Sequence, residues 1–272
     1  MKKILFVFTP QLKRIAMSNG KFDDEIWNEH QWETHLNEIE RKSEQLRKFI
    51  ASDSPNNIPR WLTLLKENTD KLDAVDAYIE EELQIEDAYF PEDEEWDDEF
   101  DDEMDDYFFD EFEDDFFFDE FDDEDFDAGE EWKELSNDFT RSDNGSIENL
   151  QVYNRARELS VYILQWAEDI HPKIRNEACT DFVGKALKIG AKLASGYSFG
   201  FEQDFLGANI ACTKKALQAA NDALNILGNE LQKASFINKP QYKFMHEQLF
   251  ELRNDIGIYV QELREKFYFG FE

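Results

Sequence analysis

The sequence predicts an all-α protein in three parts: an N-terminal helical hairpin, an acidic low-complexity segment, and a C-terminal antiparallel up-down four-helix bundle. Three observations carry that prediction. Apolar residues recur every three or four positions in both outer parts, which is the period of one helix face. Breaks rich in Gly, Pro and Asn separate those periodic stretches. Between Lys71 and Lys133 there is no basic side chain, and residues 92–131 hold 26 Asp or Glu interleaved with 11 Phe, Tyr or Trp. Like charges at that density repel through any compact state, so this run belongs to no ordinary core.

Residues 1–22 form an N-terminal segment. Its basic tip and five-residue apolar run, Ile4 to Phe8, are shorter than a signal-peptide core, so it reads as part of the mature chain. Residues 23–85 read as the hairpin. Leu36, Ile39, Ser43, Leu46 and Ile50 make the first stripe. Ser52 to Pro59 supplies turn chemistry and two prolines that stop the helix. Trp61, Leu65, Leu72, Val75, Ile79 and Leu83 then resume the period. Two helices bury little surface alone, so the hairpin is expected to dock on the rest of the chain or on another copy.

Residues 86–132 form the acidic aromatic segment, expected to be disordered in isolation. Phe100, Met104, Phe108, Phe112 and Phe116 fall four apart, so a helix would align them on one slowly drifting face. Stacked carboxylates at i and i+4 oppose that helix by roughly a few tenths of a kcal/mol per pair. A cationic partner would relieve the repulsion, so folding on binding is expected.

Residues 133–145 are a polar linker, and 146–268 are the predicted bundle. Its first helix opens at Ser146-Ile147-Glu148, runs through Leu150, Tyr153, Ala156, Leu159, Ile163 and Trp166, and is stopped by Pro172. The second, Asn176 to Ser195, carries Ala178, Phe182, Ala186, Ile189 and Leu193, and Gly196 to Gly200 makes a turn. The third, Phe201 to Gly228, carries Phe205, Ala208, Cys212, Ala216, Ala219, Ala223 and Leu227, with Gly228 as its C-cap. After Asn238-Lys239-Pro240 the fourth runs from Gln241 through Met245, Leu249, Leu252, Ile256, Val260 and Leu263. Short connections imply antiparallel neighbours.

The net charge of −34 is unevenly placed: residues 1–148 hold 48 acids against 14 bases, whereas 149–272 hold 15 of each. Such a chain repels nucleic acid and anionic membrane on average and attracts basic proteins at rates that fall with salt. No run approaches the ~20 apolar residues needed to span a bilayer. Cys179 and Cys212, both within helical patterns, read as reduced buried thiols, and the expected location is the cytoplasm.

The phrase YNRARELSVYILQWAEDIH from Tyr153, the segment FVGKALKIGAKLASGYSFGFEQDFL from Phe182 and the alanine-rich helix after it carry a family resemblance. Over residues 150–266 the chain resembles the four-helix-bundle proteins encoded in bacterial ribosomal RNA intervening sequences, a family related to the accessory variability protein of diversity-generating retroelements. Ala156-Arg157-Glu158-Leu159, Leu193-Ala194-Ser195-Gly196 and Phe205-Leu206 stand in the family's order, with Ser195 in place of its usual acid, Gly190 in place of a proline and Val183-Gly184 in place of an arginine pair. The resemblance implies a non-catalytic homo-oligomer, often a pentamer, and relatives that bind nucleic acid and a reverse transcriptase through a basic surface.

Lys185, Lys188 and Lys192 lie at i, i+3 and i+7 and share one helix face, the candidate phosphate-binding stripe. A plain solvated face is the competing reading. His30 and His35 flank Glu33 but stand five apart, the wrong spacing for two zinc ligands on one helix. Glu168-Asp169-Ile170-His171 is a lone Glu-x-x-His, where a di-iron bundle needs two. The acidic run lacks an EF-hand's glycine and ligand spacing. No phosphate loop, dinucleotide fingerprint or activated nucleophile is present, so no enzyme, cofactor or metal site is expected.

Aromatic clusters such as Tyr107-Phe108-Phe109 favour association over mere solubility. Trp96, Phe100, Phe108, Phe112, Phe116 and Phe121 are the candidate partner-binding residues, offering anchoring area while the carboxylates steer a cationic surface inward. The expected function is that of a homo-oligomeric interaction or scaffold protein whose acidic aromatic segment binds a basic protein. The alternative is a nucleic-acid-binding accessory factor of a reverse transcriptase that uses the lysine stripe.

Overall fold

The computed structural model describes residues 26–52, 58–87 and 145–270, with the side chains of 46–52 and 87 left aside. Among the described residues there are seven α-helices and no strand: α1 (Glu29–Ser52), α2 (Arg60–Glu67), α3 (Lys71–Asp87), α4 (Gln151–Glu168), α5 (Glu177–Phe199), α6 (Gln203–Ile226) and α7 (Lys239–Phe269). A 3-10 turn, Ile147–Asn149, precedes α4, and a π turn, Leu227–Leu231, extends α6. All seven helices belong to one compact unit, Pro10–Phe90 with Ile147–Glu272. The other unit is Met1–Thr9 with Pro91–Ser146, of which only Gly145 and Ser146 are described.

Local chemistry sets the helix ends. At α5 the Asn176 side chain accepts a hydrogen bond from the Cys179 N–H at 3.0 Å, and Glu177 places negative charge in the first turn. The α7 start is a full capping box: Asn238 Oδ1 accepts from the Gln241 N–H at 2.9 Å, and Gln241 Oε1 accepts from the Asn238 N–H at 3.1 Å. Lys239 and Pro240, expected to precede the helix, form its first turn, where a proline's missing N–H leaves nothing unsatisfied.

Three further boundaries differ from expectation. Gly196 is no turn residue, because α5 continues through it to Phe199 and ends at Gly200, whose φ is 87°. Gly196 is buried against α6, where an added Cβ would lie 3.0 Å from Asn209 Oδ1 and 3.1 Å from the Asn209 carbonyl oxygen. Its glycine character thus serves close helix approach. Gly228 does not cap α6, since the helix passes through it into the π turn without positive φ. The stretch from Trp61 to Leu83 is two helices, broken at Asn68, whose Nδ2 donates to the Leu64 carbonyl at 2.9 Å. The buried face there is Trp61 and Leu64, then Ala74, Val75 and Ile79, while Leu72 is exposed.

Helices α4 to α7 pack in a closed circuit, α4 on α5, α5 on α6, α6 on α7 and α7 on α4. The apolar stripes expected for the last two helices are buried in full, from Phe205 to Leu227 and from Met245 to Leu263. The N-terminal helices lie on this circuit: α1 against α6, and α3 against α4 and α5. Trp32, Leu36 and Ile39 of α1 join Phe199, Phe205, Ala208, Ala211 and Cys212 in one apolar cluster. Burying each large side chain of that kind contributes about 1.5–3 kcal/mol. Two glycines open room for the approach. A Cβ on Gly207 would meet the Trp27 carbonyl oxygen at 2.5 Å, and one on Gly190 would meet Ile79 Cδ1 at 3.3 Å.

Candidate functional site

Lys188 and Lys192 of the α5 stripe face the N-terminal helices, and carboxylates answer all three lysines. Lys192 is buried, with 4% of its side chain exposed, and donates to Glu86 of α3. Lys188 donates to Glu40 of α1. Lys185, farther out, pairs with Asp222 of α6 at 2.8 Å. The structure therefore keeps the three residues on one helix and gives each a partner from a different element.

The same pattern extends over α6 and α7. Lys215 Nζ donates to Glu40 Oε2 and to Asn37 Oδ1, each at 2.6 Å. Lys214 Nζ donates to Glu33 Oε2 at 2.7 Å and lies 3.5 Å from Glu29 Oε1. Arg264 grips Glu29 with two parallel bonds, Nε to Oε2 at 2.8 Å and Nη2 to Oε1 at 2.6 Å. On the other side Arg157 of α4 forks onto Asp76 of α3, with Nε to Oδ1 at 2.7 Å. Planar fork-to-carboxylate bonds of this kind fix orientation as well as charge.

Electrostatics lock the protonation states. Burial works to raise the Glu40 pKa, but the fields of Lys192 and Lys188 and the hydrogen bonds from Lys188 and Lys215 outweigh it, holding the carboxyl well below its usual range. For Glu29 the hydrogen bond from Arg264 is the largest influence and also lowers the pKa, against burial and with help from Lys214. Burial works to lower the Lys192 pKa, and Glu86 and Glu40 reverse the balance and raise it. At neutral pH Glu40 and Glu29 are thus ionised and Lys192 is protonated.

Cys212 lies beside this seam, its Sγ 3.4 Å from Ser195 Oγ. Burial pushes its thiol up to about 11, and burial does the same to Cys179. Both sulfurs are therefore thiols at neutral pH, a poor state for nucleophilic attack. His35 packs edge-on to Trp27 and Trp32 at 5.8 and 6.2 Å, and burial lowers its pKa. Among the described residues no group of three His, Cys, Asp or Glu is placed to hold a metal ion. None of the described helices is long and apolar enough to cross a membrane.

The other candidate residues, Trp96, Phe100, Phe108, Phe112, Phe116 and Phe121, lie outside the described residues. Sequence reasoning singled out the lysines but missed the acids that meet them. A signal was present: Glu29 and Glu40 sit at helical spacing among Trp32, Leu36 and Ile39, and Glu82 and Glu86 continue the stripe of Val75 and Ile79. Acids on an apolar stripe mark a face that buries charge, which needs a cation opposite.

Comparison with known proteins adds no relative: no protein-family model, curated protein or solved structure matches this chain.

Proposed function

We propose that this protein is a non-enzymatic, self-associating interaction protein whose acidic aromatic segment binds a basic protein partner. One observation carries the reading. Lys188, Lys192, Lys214, Lys215, Arg157 and Arg264 are already matched by carboxylates of α1 and α3. Residues 92–131 carry 26 acids and no base against a net charge of −34, which leaves only −8 for all the other residues. Those carboxylates have no comparable supply of cations within the chain, and their interleaved rings give a partner's grooves something to bury. In this reading α4 to α7 form the up-down bundle that the intervening-sequence family resemblance implies, and they act as the scaffold.

The experiment is affinity capture with the full chain and with a variant lacking residues 92–131, followed by a salt titration. The deletion starts past Glu86 so that its pair with Lys192 survives. Basic proteins held by the full chain, released as salt rises and absent from the deletion, support the reading. Equal retention by both chains overturns it.

The nucleic-acid alternative draws on Lys185, Lys188 and Lys192. Phosphates reaching Lys188 or Lys192 would have to displace Glu40 or Glu86. That geometry favours the basic-protein reading.

A further inference from the structure

Five of the nine exposed large hydrophobic residues among the described ones lie on α7: Phe244, Phe250, Ile258, Tyr268 and Phe269. Concentration on one helix asks for an explanation that scattered surface apolars do not. The outward direction of α7 is fixed by its two flanks. Arg253 Nε donates to Asn221 of α6 at 3.0 Å, and Asp255 pairs with Arg155 of α4. Asn254, one step of ~100° from each, points away from both neighbours. Phe250 and Ile258 stand one turn to either side of it, 50% and 59% exposed.

The exposed stripe continues in steps of four and three, through Glu247 to Lys243 on one side and through Gln261 to Glu265 on the other. Alternating steps of that kind give a seam for a second helix crossing at about 20°. The seam is symmetric about Asn254, with Phe250 and Ile258 four residues away and Lys243 and Glu265 eleven away. Its ends have opposite charge. A parallel partner copy would set Lys243 on Lys243 and Glu265 on Glu265, whereas an antiparallel copy sets each lysine on a glutamate and each Phe250 on an Ile258. Among the described residues Lys243 makes an exposed pair with Glu247 at 3.5 Å, a contact it can share or exchange at little cost. The acidic segment is a poor occupant, because Glu247, Glu251, Glu262 and Glu265 also line this side.

We infer that the outer face of α7 is the self-association surface, pairing antiparallel with α7 of a second copy about a two-fold axis through Asn254. This deepens the self-association part of the function proposed above and is independent of the basic partner. A two-fold contact is self-complementary, which the mirrored seam satisfies.

The test is sedimentation velocity on the full chain across a concentration series, with circular dichroism to check folding. The wild-type chain is expected to move from one copy towards two as concentration rises. Phe250→Glu with Ile258→Glu, both at exposed positions, should stay single at every concentration. Lys243→Glu and Glu265→Lys should each weaken pairing several-fold, and the double exchange should restore it, a rescue only the antiparallel register gives. A wild-type chain that stays single, or an oligomer indifferent to Phe250→Glu with Ile258→Glu, overturns the inference. Either result leaves the affinity capture of a basic partner to stand or fall by itself.

Discussion

A lysine with 4% of its side chain exposed persists in a helical interior because carboxylates compensate its desolvation. Lys192→Met should therefore destabilise the fold by about 3–5 kcal/mol, chiefly by leaving Glu86 buried without its cation. Adding Glu86→Leu to the same chain should recover most of that loss, and a urea-unfolding double-mutant cycle measures the coupling. The seam also predicts the pH profile. Glu40 and Glu29 have folded pKa values below the unfolded value of about 4.3, so their stabilisation is complete above it and disappears as pH falls towards the folded values. Lys192 is shifted upward, so its contribution is complete below about 10.4 and is lost as pH rises through its folded value. Urea midpoints should form a plateau between these limits, and Glu40→Gln should shallow the acid limb.

At the level of helices, the glycines of α5 and α6 separate close approach from open surface. Gly207→Ala drives a Cβ against the backbone oxygen of Trp27, which has no rotamer to yield, so hydrogen exchange should rise across α1. Gly190→Ala meets only the terminal methyl of Ile79 and should cost far less. Gly184→Ala meets nothing within 4 Å and should stabilise α5 by up to about 1 kcal/mol, read as a higher urea midpoint. The periodic stripes of α6 and α7 were legible in the sequence because every third or fourth residue there is apolar and buried. The break at Asn68, the helical Gly196 and the uncapped Gly228 were not. Gly196 answers to the close approach of α6, and Asn68 to its own side-chain bond onto Leu64, neither of which periodicity describes. The carboxylate half of the seam was hidden for a related reason: in so acidic a chain, Glu29 and Glu86 look like solvated charge until Arg264 and Lys192 are placed opposite them.

For the whole molecule, the seam divides the negative charge by role. The acids of α1 and α3 pair with cations of α4 to α7, and in the function proposed above those of residues 92–131 are the surplus that binds a basic partner. Deleting 92–131 should leave thermal stability unchanged or slightly raised, since each halving of a connecting segment gains only about 0.6 kcal/mol of closure entropy. Differential scanning calorimetry of the two chains measures this. Deleting 1–87 should instead expose Phe199, Phe205 and four lysines together, giving a protein that binds hydrophobic dye and precipitates with polyanions.

Because α1 and α3 bury their faces on helices that lie far downstream, a newborn chain makes one half of the seam well before the other. From the end of α3 at Asp87 to the end of α6 at Ile226 a ribosome moving at roughly 5–20 residues per second needs on the order of ten seconds. For that interval Trp32, Leu36 and Ile39 have no groove to enter, and the first helices wait with unsheltered tryptophan and leucine. Synthesis, more than the finished molecule, is when the apolar face of α1 is open to wrong contacts.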